Sequence, residues 1–281
     1  MEINNLMLKS LFISTFPILC LVGLGISVDQ YLQGDLLAAV GLLLLSIPML
    51  FFLGRLFLAD VARTSSNLNI YSGFVVVGFF ILIYSFYNNE AQTVSSIGFL
   101  IAVCWFLYIK WYSVFPDRTN TLLTKGKALP SLKFEDASGN IVSSDSFLGK
   151  KNILMFYRGN WCPLCMAQIK ELALEYKELE SKGIQTVLIS PQPHTNTMKL
   201  ASKYEVGFKF LVDKDNSVAK QLGIFAKNGL PAGMQVLGYD SDTVMPTIIL
   251  TDEMGNIIHS DLTSNYRVRP EPADLIKYFE I

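Results

Sequence analysis

The sequence predicts two unlike parts: a bundle of four membrane-spanning α-helices, then an α/β domain with a mixed central sheet. Three observations carry that prediction. Four long stretches within the first 115 residues hold no charged side chain. Beyond them charge returns, and short β-type runs alternate with segments of helical periodicity. Two cysteines then stand three residues apart where an apolar run meets a helix. The averages of 51% hydrophobic and 17% charged residues in 281 describe neither part, which is why the chain is read in halves.

The uncharged stretches are residues 10–28, 36–54, 70–87 and 94–109. A helix of about 20 apolar residues crosses a bilayer, so four spans are expected within residues 1–115. A secretory signal followed by buried core helices would account for one such segment, not four in succession. Pro17 and Pro48 fall inside two spans, where neighbouring helices re-satisfy freed carbonyls and the prolines kink the helix. Tyr84, Phe86, Tyr87, Trp105, Tyr108, Trp111 and Tyr112 gather towards span ends, as aromatic belts do.

Lys9 precedes the first span, Arg55 and Arg63 flank the second loop, and Lys110, Arg118, Lys125 and Lys127 follow the fourth. Asp29 and Asp35 bracket the first loop, and Glu90 lies in the third. The positive-inside rule then puts both termini and the second loop in the cytoplasm, with the α/β domain, at an inner or plasma membrane if the source is bacterial.

Residues 116–130 are polar and proline-bounded and are expected to be a linker; residues 131–281 are long enough for one core. Within them, residues 136–140 read as a hairpin turn and 144–148 as a short helix. A strand follows at 153–157, a helix from Cys162 to about residue 182, and a strand at 184–189. Next come a helix at 195–204, a strand at 208–212, a short helix at 217–222 and a strand at 245–250. A turn at 252–256, a strand at 257–259 and a helix at 271–278 complete the chain. Strands that alternate with helices and finish in a hairpin imply a mixed sheet covered on both faces.

The chemistry is expected at Cys162-Pro163-Leu164-Cys165. Proline is preferred at the first helical position, so Pro163 sets the helix start at Cys162. A thiol there meets unpaired N–H groups and the positive end of the helix dipole, which favours the nucleophilic thiolate. Cys162 is therefore the expected attacking sulfur, and Cys165, a turn on, the resolving one. A reducing compartment makes such a pair catalytic in preference to structural.

Arg158 stands four residues before Cys162, either to stabilise a thiolate or to pair with a helix carboxylate. Trp161 either shields the dithiol or covers the sheet edge. His194 is a solvated loop histidine or, less favoured, a proton shuttle. Cys20 and Cys104 are mid-span and read as small apolar side chains, with an electron relay as the sharper alternative. Zinc would need two further ligands that the chain does not offer, and no cofactor is expected. The near-zero net charge and the lack of a phosphate-binding glycine loop or basic stripe argue against a nucleic-acid role.

Residues 126–281 resemble the thioredoxin superfamily, and within it the AhpC/TSA peroxiredoxin-like branch. The resemblance rests on Tyr157-Arg-Gly-Asn-Trp-Cys-Pro-Leu-Cys165, on Leu129-Pro130-Ser131-Leu132, on Pro246-Thr247 and on the order of elements. It implies a thioredoxin-like fold and oxidoreductase chemistry on disulfides or peroxides. It also implies a thiol reductant such as a thioredoxin or glutathione system. The sequence departs from the peroxidase pattern at Met155 and Gly159, where the motif proline and threonine would stand, and at Pro246, where an arginine would. Pro246 instead resembles the cis-proline of thioredoxins, which presents backbone to an extended substrate. Three functions follow as expectations. The first is a membrane-anchored thiol-disulfide oxidoreductase acting on protein disulfides; the second is a thiol-dependent peroxidase; the third is a non-enzymatic redox sensor.

Overall fold

The computed structural model describes residues 2–89, 92–115, 118–204 and 206–280. Glu90 of the third loop and Pro116 at the linker start lie outside them. Helices α1 (Glu2–Leu32), α2 (Leu36–Leu58), α3 (Asn69–Asn89) and α4 (Gln92–Leu107) form the N-terminal bundle. Its segments Asn5–Leu32, Leu36–Leu58, Asn69–Asn88 and Thr93–Tyr112 are long and apolar enough to cross a membrane.

Asp35 starts α2 by accepting from the Ala38 N–H at 3.0 Å. Where α2 and α3 cross, a Cβ on Gly78 would lie 2.9 Å from the Gly41 carbonyl, so small residues allow the two backbones to touch. Helix α4 ends in a π-helical turn, Tyr108–Tyr112, which rotates Tyr108 into the buried end of the bundle.

The second part is built on a seven-stranded sheet in the order β2-β1-β5-β4-β3-β8-β9. Its strands are β1 (Lys133–Asp136), β2 (Ile141–Ser143), β3 (Lys151–Phe156), β4 (Ile184–Ser190), β5 (Lys209–Val212), β8 (Thr247–Thr251) and β9 (Ile257–Asp261). The central trio β3, β4 and β5 is parallel and the flanking pairs antiparallel, a mixed sheet. Parallel strands buried on both faces need continuous apolar runs, and β3 and β4 have them. A short ribbon of β6 (Phe225–Ala226) and β7 (Thr243–Val244) stands apart.

The remaining helices are α5 (Pro163–Leu174), α6 (Tyr176–Ser181), α7 (His194–Ala201), α8 (Ser217–Gln221) and α9 (Pro272–Lys277). The single helix expected over 162–182 is thus interrupted at Glu175. The strand expected from Met245 begins at Thr247, because the Met245 N–H bonds the Ile224 carbonyl and Pro246 has no N–H for the ladder.

Residues 118–130 run along the sheet. Asn120 donates to the Leu222 carbonyl, Leu123 is buried, and the Gly126 N–H bonds the Ile257 carbonyl at 2.7 Å. The α/β domain sits against the bundle end that carries Lys9, Arg63 and Lys110. Val114 bridges Asn265, Lys170 pairs with Asp60 at 2.6 Å, and Arg63 pairs with Glu171. The centre of the contact is Arg267, fully buried. Its guanidinium donates to Ser113 Oγ at 3.1 Å, Thr64 Oγ1 at 3.0 Å and the carbonyls of Ser65 and Ser66 at 2.7 and 2.8 Å. Beside it the Tyr108 and Tyr266 hydroxyls meet at 2.6 Å. One apolar cluster therefore runs from Leu42 and Phe52 through Tyr108 and Tyr266 to Cys162, Cys165 and Leu172.

Candidate redox site

The local chain explains how the two sulfurs meet. Strand β3 delivers Tyr157 to the sheet end, where its hydroxyl accepts from Gln192 Nε2 at 3.0 Å while Gln192 Oε1 accepts from the Asn160 N–H at 2.9 Å. Gly159, at φ +140°, makes the turn; a Cβ there would sit 2.8 Å from the Trp161 indole nitrogen. Cys162 is then the N-cap of α5 with Pro163 at the first helical position, and Cys162 Sγ accepts from the Cys165 N–H at 3.3 Å.

Both thiols are free and enclosed, Cys162 at 3% exposure and Cys165 at 0%. Arg269 reaches Cys165 from the segment before α9. Nη1 and Nη2 each lie 3.6 Å from Cys165 Sγ, Nε donates to the Tyr266 carbonyl at 2.9 Å, and Nη1 donates to Gln168 Oε1 at 3.0 Å. A guanidinium forked onto one sulfur decides where the pair keeps its charge. Burial alone would push Cys165 up; the hydrogen bond from Cys162, the Arg269 charge and the Arg158 N–H outweigh it and hold Cys165 at about 5. Burial, followed by its bond to and repulsion from Cys165, raises Cys162 well above the usual thiol range.

The sequence placed the thiolate on Cys162; the Arg269 guanidinium instead lies on Cys165, which favours the charge there and raises Cys162. The helix terminus contributes a fraction of a charge, about +0.5, whereas Arg269 contributes a full one.

Among the described residues Arg158 has no carboxylate partner. Its guanidinium lies 4.5 Å over the Trp161 ring and donates to the Gly229 carbonyl, and its charge favours thiolate at both cysteines. Trp161 thus packs between Arg158 and the dithiol loop, partly buried. The cis-proline expectation for Pro246 is also corrected. The described chain has no cis peptide bond, and the Pro246 carbonyl accepts from Arg118 Nη1 at 2.9 Å.

His194 is turned towards Glu135, 2.8 Å away on β1, and takes no part in the dithiol's hydrogen bonds. Cys20 and Cys104 sit on α1 and α4, within electrostatic range of each other and unlinked. The residues missed from sequence are Arg269, Gln168, Gln192 and Tyr266. The one available signal for Arg269 was the spacing Arg267-Val268-Arg269. The turn over Asn265–Val268, closed by the Val268 N–H on the Asn265 carbonyl, turns Arg267 to the bundle and leaves Arg269 for the sulfur.

Residues 125–260 match the AhpC/TSA family. The chain is 30% identical over 112 residues to peroxiredoxin Q of Sedum lineare chloroplasts, a match covering 39% of this chain and 60% of that one. It is 25% identical over 120 residues to the thiol-disulfide oxidoreductase ResA of Bacillus subtilis, covering 42% and 65%. The chain thus spans less than two thirds of either relative. The crystal structure of Enterococcus faecalis AhpC aligns with a TM-score of 0.44 at 16% identity, covering 56% of this chain and 90% of that one.

Proposed function

From the premise that residues 125–260 are an AhpC/TSA family domain, we propose that this chain is a membrane-anchored dithiol oxidoreductase. In this reading Cys162 and Cys165 cycle between dithiol and disulfide, and the oxidant is a small hydroperoxide. The observation that carries the choice of oxidant is the closure of the pair beneath Arg158, Trp161 and the bundle end. A folded protein's disulfide has no approach to a sulfur at 3% exposure, whereas an O–O bond needs room for a few atoms.

The chemistry runs as follows. Cys162 passes its proton to the Cys165 thiolate as its sulfur attacks the hydroperoxide. The O–O bond breaks, the alcohol leaves with a proton, and Cys162 becomes a sulfenic acid. Cys165, again ionised beside Arg269, attacks that sulfur. Hydroxide leaves, takes a proton from solvent and departs as water, and the 162–165 disulfide forms. Net, one hydroperoxide and one dithiol give alcohol, water and disulfide. An external small thiol, of glutathione type, resets the pair, since it needs the same narrow approach as the hydroperoxide.

Protein disulfide exchange is the second reading. It is favoured by the ResA relative and by Gly159 and Met155 standing where a peroxidase would carry threonine and proline. Rapid mixing of the reduced full-length protein with hydrogen peroxide, cumene hydroperoxide and an oxidised protein substrate separates the two. Peroxide turnover dependent on Cys162, with a trappable sulfenic acid in Cys165→Ser, is expected. Turnover with the protein disulfide alone would overturn the peroxide reading.

The proposed orientation places the α/β domain in the cytoplasm, on the side of Lys9, Arg63 and Lys110. A cysteine introduced at position 88 is expected to react with an impermeant maleimide in intact cells and one at position 138 to stay unlabelled. The reverse pattern would place the domain outside.

A further inference from the structure

The segment between β6 and β7, residues 227–242, carries a short 3-10 turn, Met234–Leu237, between Gly233 and Gly238, whose positive φ values are 92° and 83°. The turn leaves two adjacent aliphatic side chains bare, Val236 at 87% exposure and Leu237 at 60%. The segment itself is anchored. The Ala232 N–H donates to the Ser10 carbonyl at 3.1 Å, Ser14 Oγ donates to the Ala232 carbonyl at 2.8 Å, and Ser10 Oγ donates to the Leu230 carbonyl.

Ser10 and Ser14 are one turn apart on α1, inside the apolar span Asn5–Leu32. A hydrocarbon core about 30 Å thick takes about 20 helical residues, so counting back from Val28, the last residue before Asp29, puts the near lipid boundary around residue 9. Leu8 and Leu11 are bare at the same level of α1. Val236 follows the anchor at Ala232 by four residues, a reach of at most about 14 Å in extended chain and less in a 3-10 turn.

We propose that the Met234–Leu237 turn is a second membrane contact, in which Val236 and Leu237 enter the acyl edge of the bilayer beside α1. The proposal rests on the anchoring of the bundle in a membrane and is independent of the oxidant. Its bearing on the site is direct, because the Gly229 carbonyl of the same segment holds Arg158. Gly229 and Pro231 of the segment, Leu6, Lys9 and Ser10 of α1, and Arg158 also line one small crevice.

The test uses the full chain in phosphatidylcholine vesicles, with and without bromine on the acyl chains. Val236→Trp is compared with the parent, which has the same three tryptophans otherwise, and with Ile141→Trp, an exposed position on the edge strand β2. The fluorescence added by Val236→Trp is expected to lose at least half its intensity to acyl bromine and to resist aqueous iodide, with the opposite pattern at position 141. Quenching of Val236→Trp by iodide alone would overturn the proposal. Resistance to both quenchers would overturn it in favour of a contact with a second copy of the chain. Failure of the parent to float with vesicles removes the anchoring and this proposal together; flotation without bromine quenching removes the proposal alone.

Discussion

Arg269→Met is expected to raise the pH at which the reduced pair ionises and to make the pair more strongly reducing. Arg269 holds a proton-free sulfur in a buried site, so it stabilises the dithiol form and not the disulfide, which has no charge to pair with it. Stabilising the reduced form raises the potential, and removing the guanidinium lowers it. Each pKa unit lost at the pair corresponds to about 1.4 kcal/mol, or a shift of about −30 mV for a two-electron couple.

The sign of the pH dependence is fixed by the depressed value at Cys165. Its stabilisation of the reduced fold is fully present above the ordinary thiol range and is lost as the pH falls through about 5. The difference between parent and variant is therefore largest near pH 9 and vanishes by about pH 5. Thiolate absorbance and redox titration of the 162–165 disulfide read both quantities. Arg269→Lys keeps the charge and loses the fork, so an intermediate shift is expected. An unchanged titration in Arg269→Met would show that the charge is held by other means.

Arg267→Met is expected to separate the α/β domain from the bundle without unfolding either. Arg267 is fully buried and satisfies the Thr64 and Ser113 hydroxyls and the Ser65 and Ser66 carbonyls. Acceptors left dry cost about 1–3 kcal/mol each, so the docked state loses several kcal/mol while the undocked state recovers water as a partner. A change of about 2.8 kcal/mol multiplies the open population about 100-fold. Cys162 belongs to the apolar cluster that spans this contact, so iodoacetamide should modify it on the order of 100-fold faster than in the parent, with circular dichroism unchanged. Equal alkylation rates would mean that the dithiol loop, and not the docking contact, excludes the reagent. Together the two arginines show one short segment serving two tasks, since Val268 alone separates the residue that holds the bundle from the residue that holds the sulfur.

How much of this was legible in sequence depends on the range of the interaction involved. The four apolar helices, the strand–turn–helix around Cys162, the Pro163 start of α5 and the mixed sheet were readable because each rests on contacts within a few residues or on hydrophobic period. The sheet's outer strand β2 and the ribbon of β6 and β7 were not, being two or three residues long and made by pairing across the chain.

The sequence by itself determined that two thiols meet at a helix N-terminus behind an apolar bundle. The tertiary structure alone decided which sulfur faces a cation, because Arg269 is 104 residues away along the chain. It also decided that the pair is closed, since Tyr108, Tyr266 and Arg267 come together only when the two halves dock. Local patterns fix where backbone and helix dipoles point. A full charge brought in from a distant segment outweighs them, and no short-range pattern records where it will land.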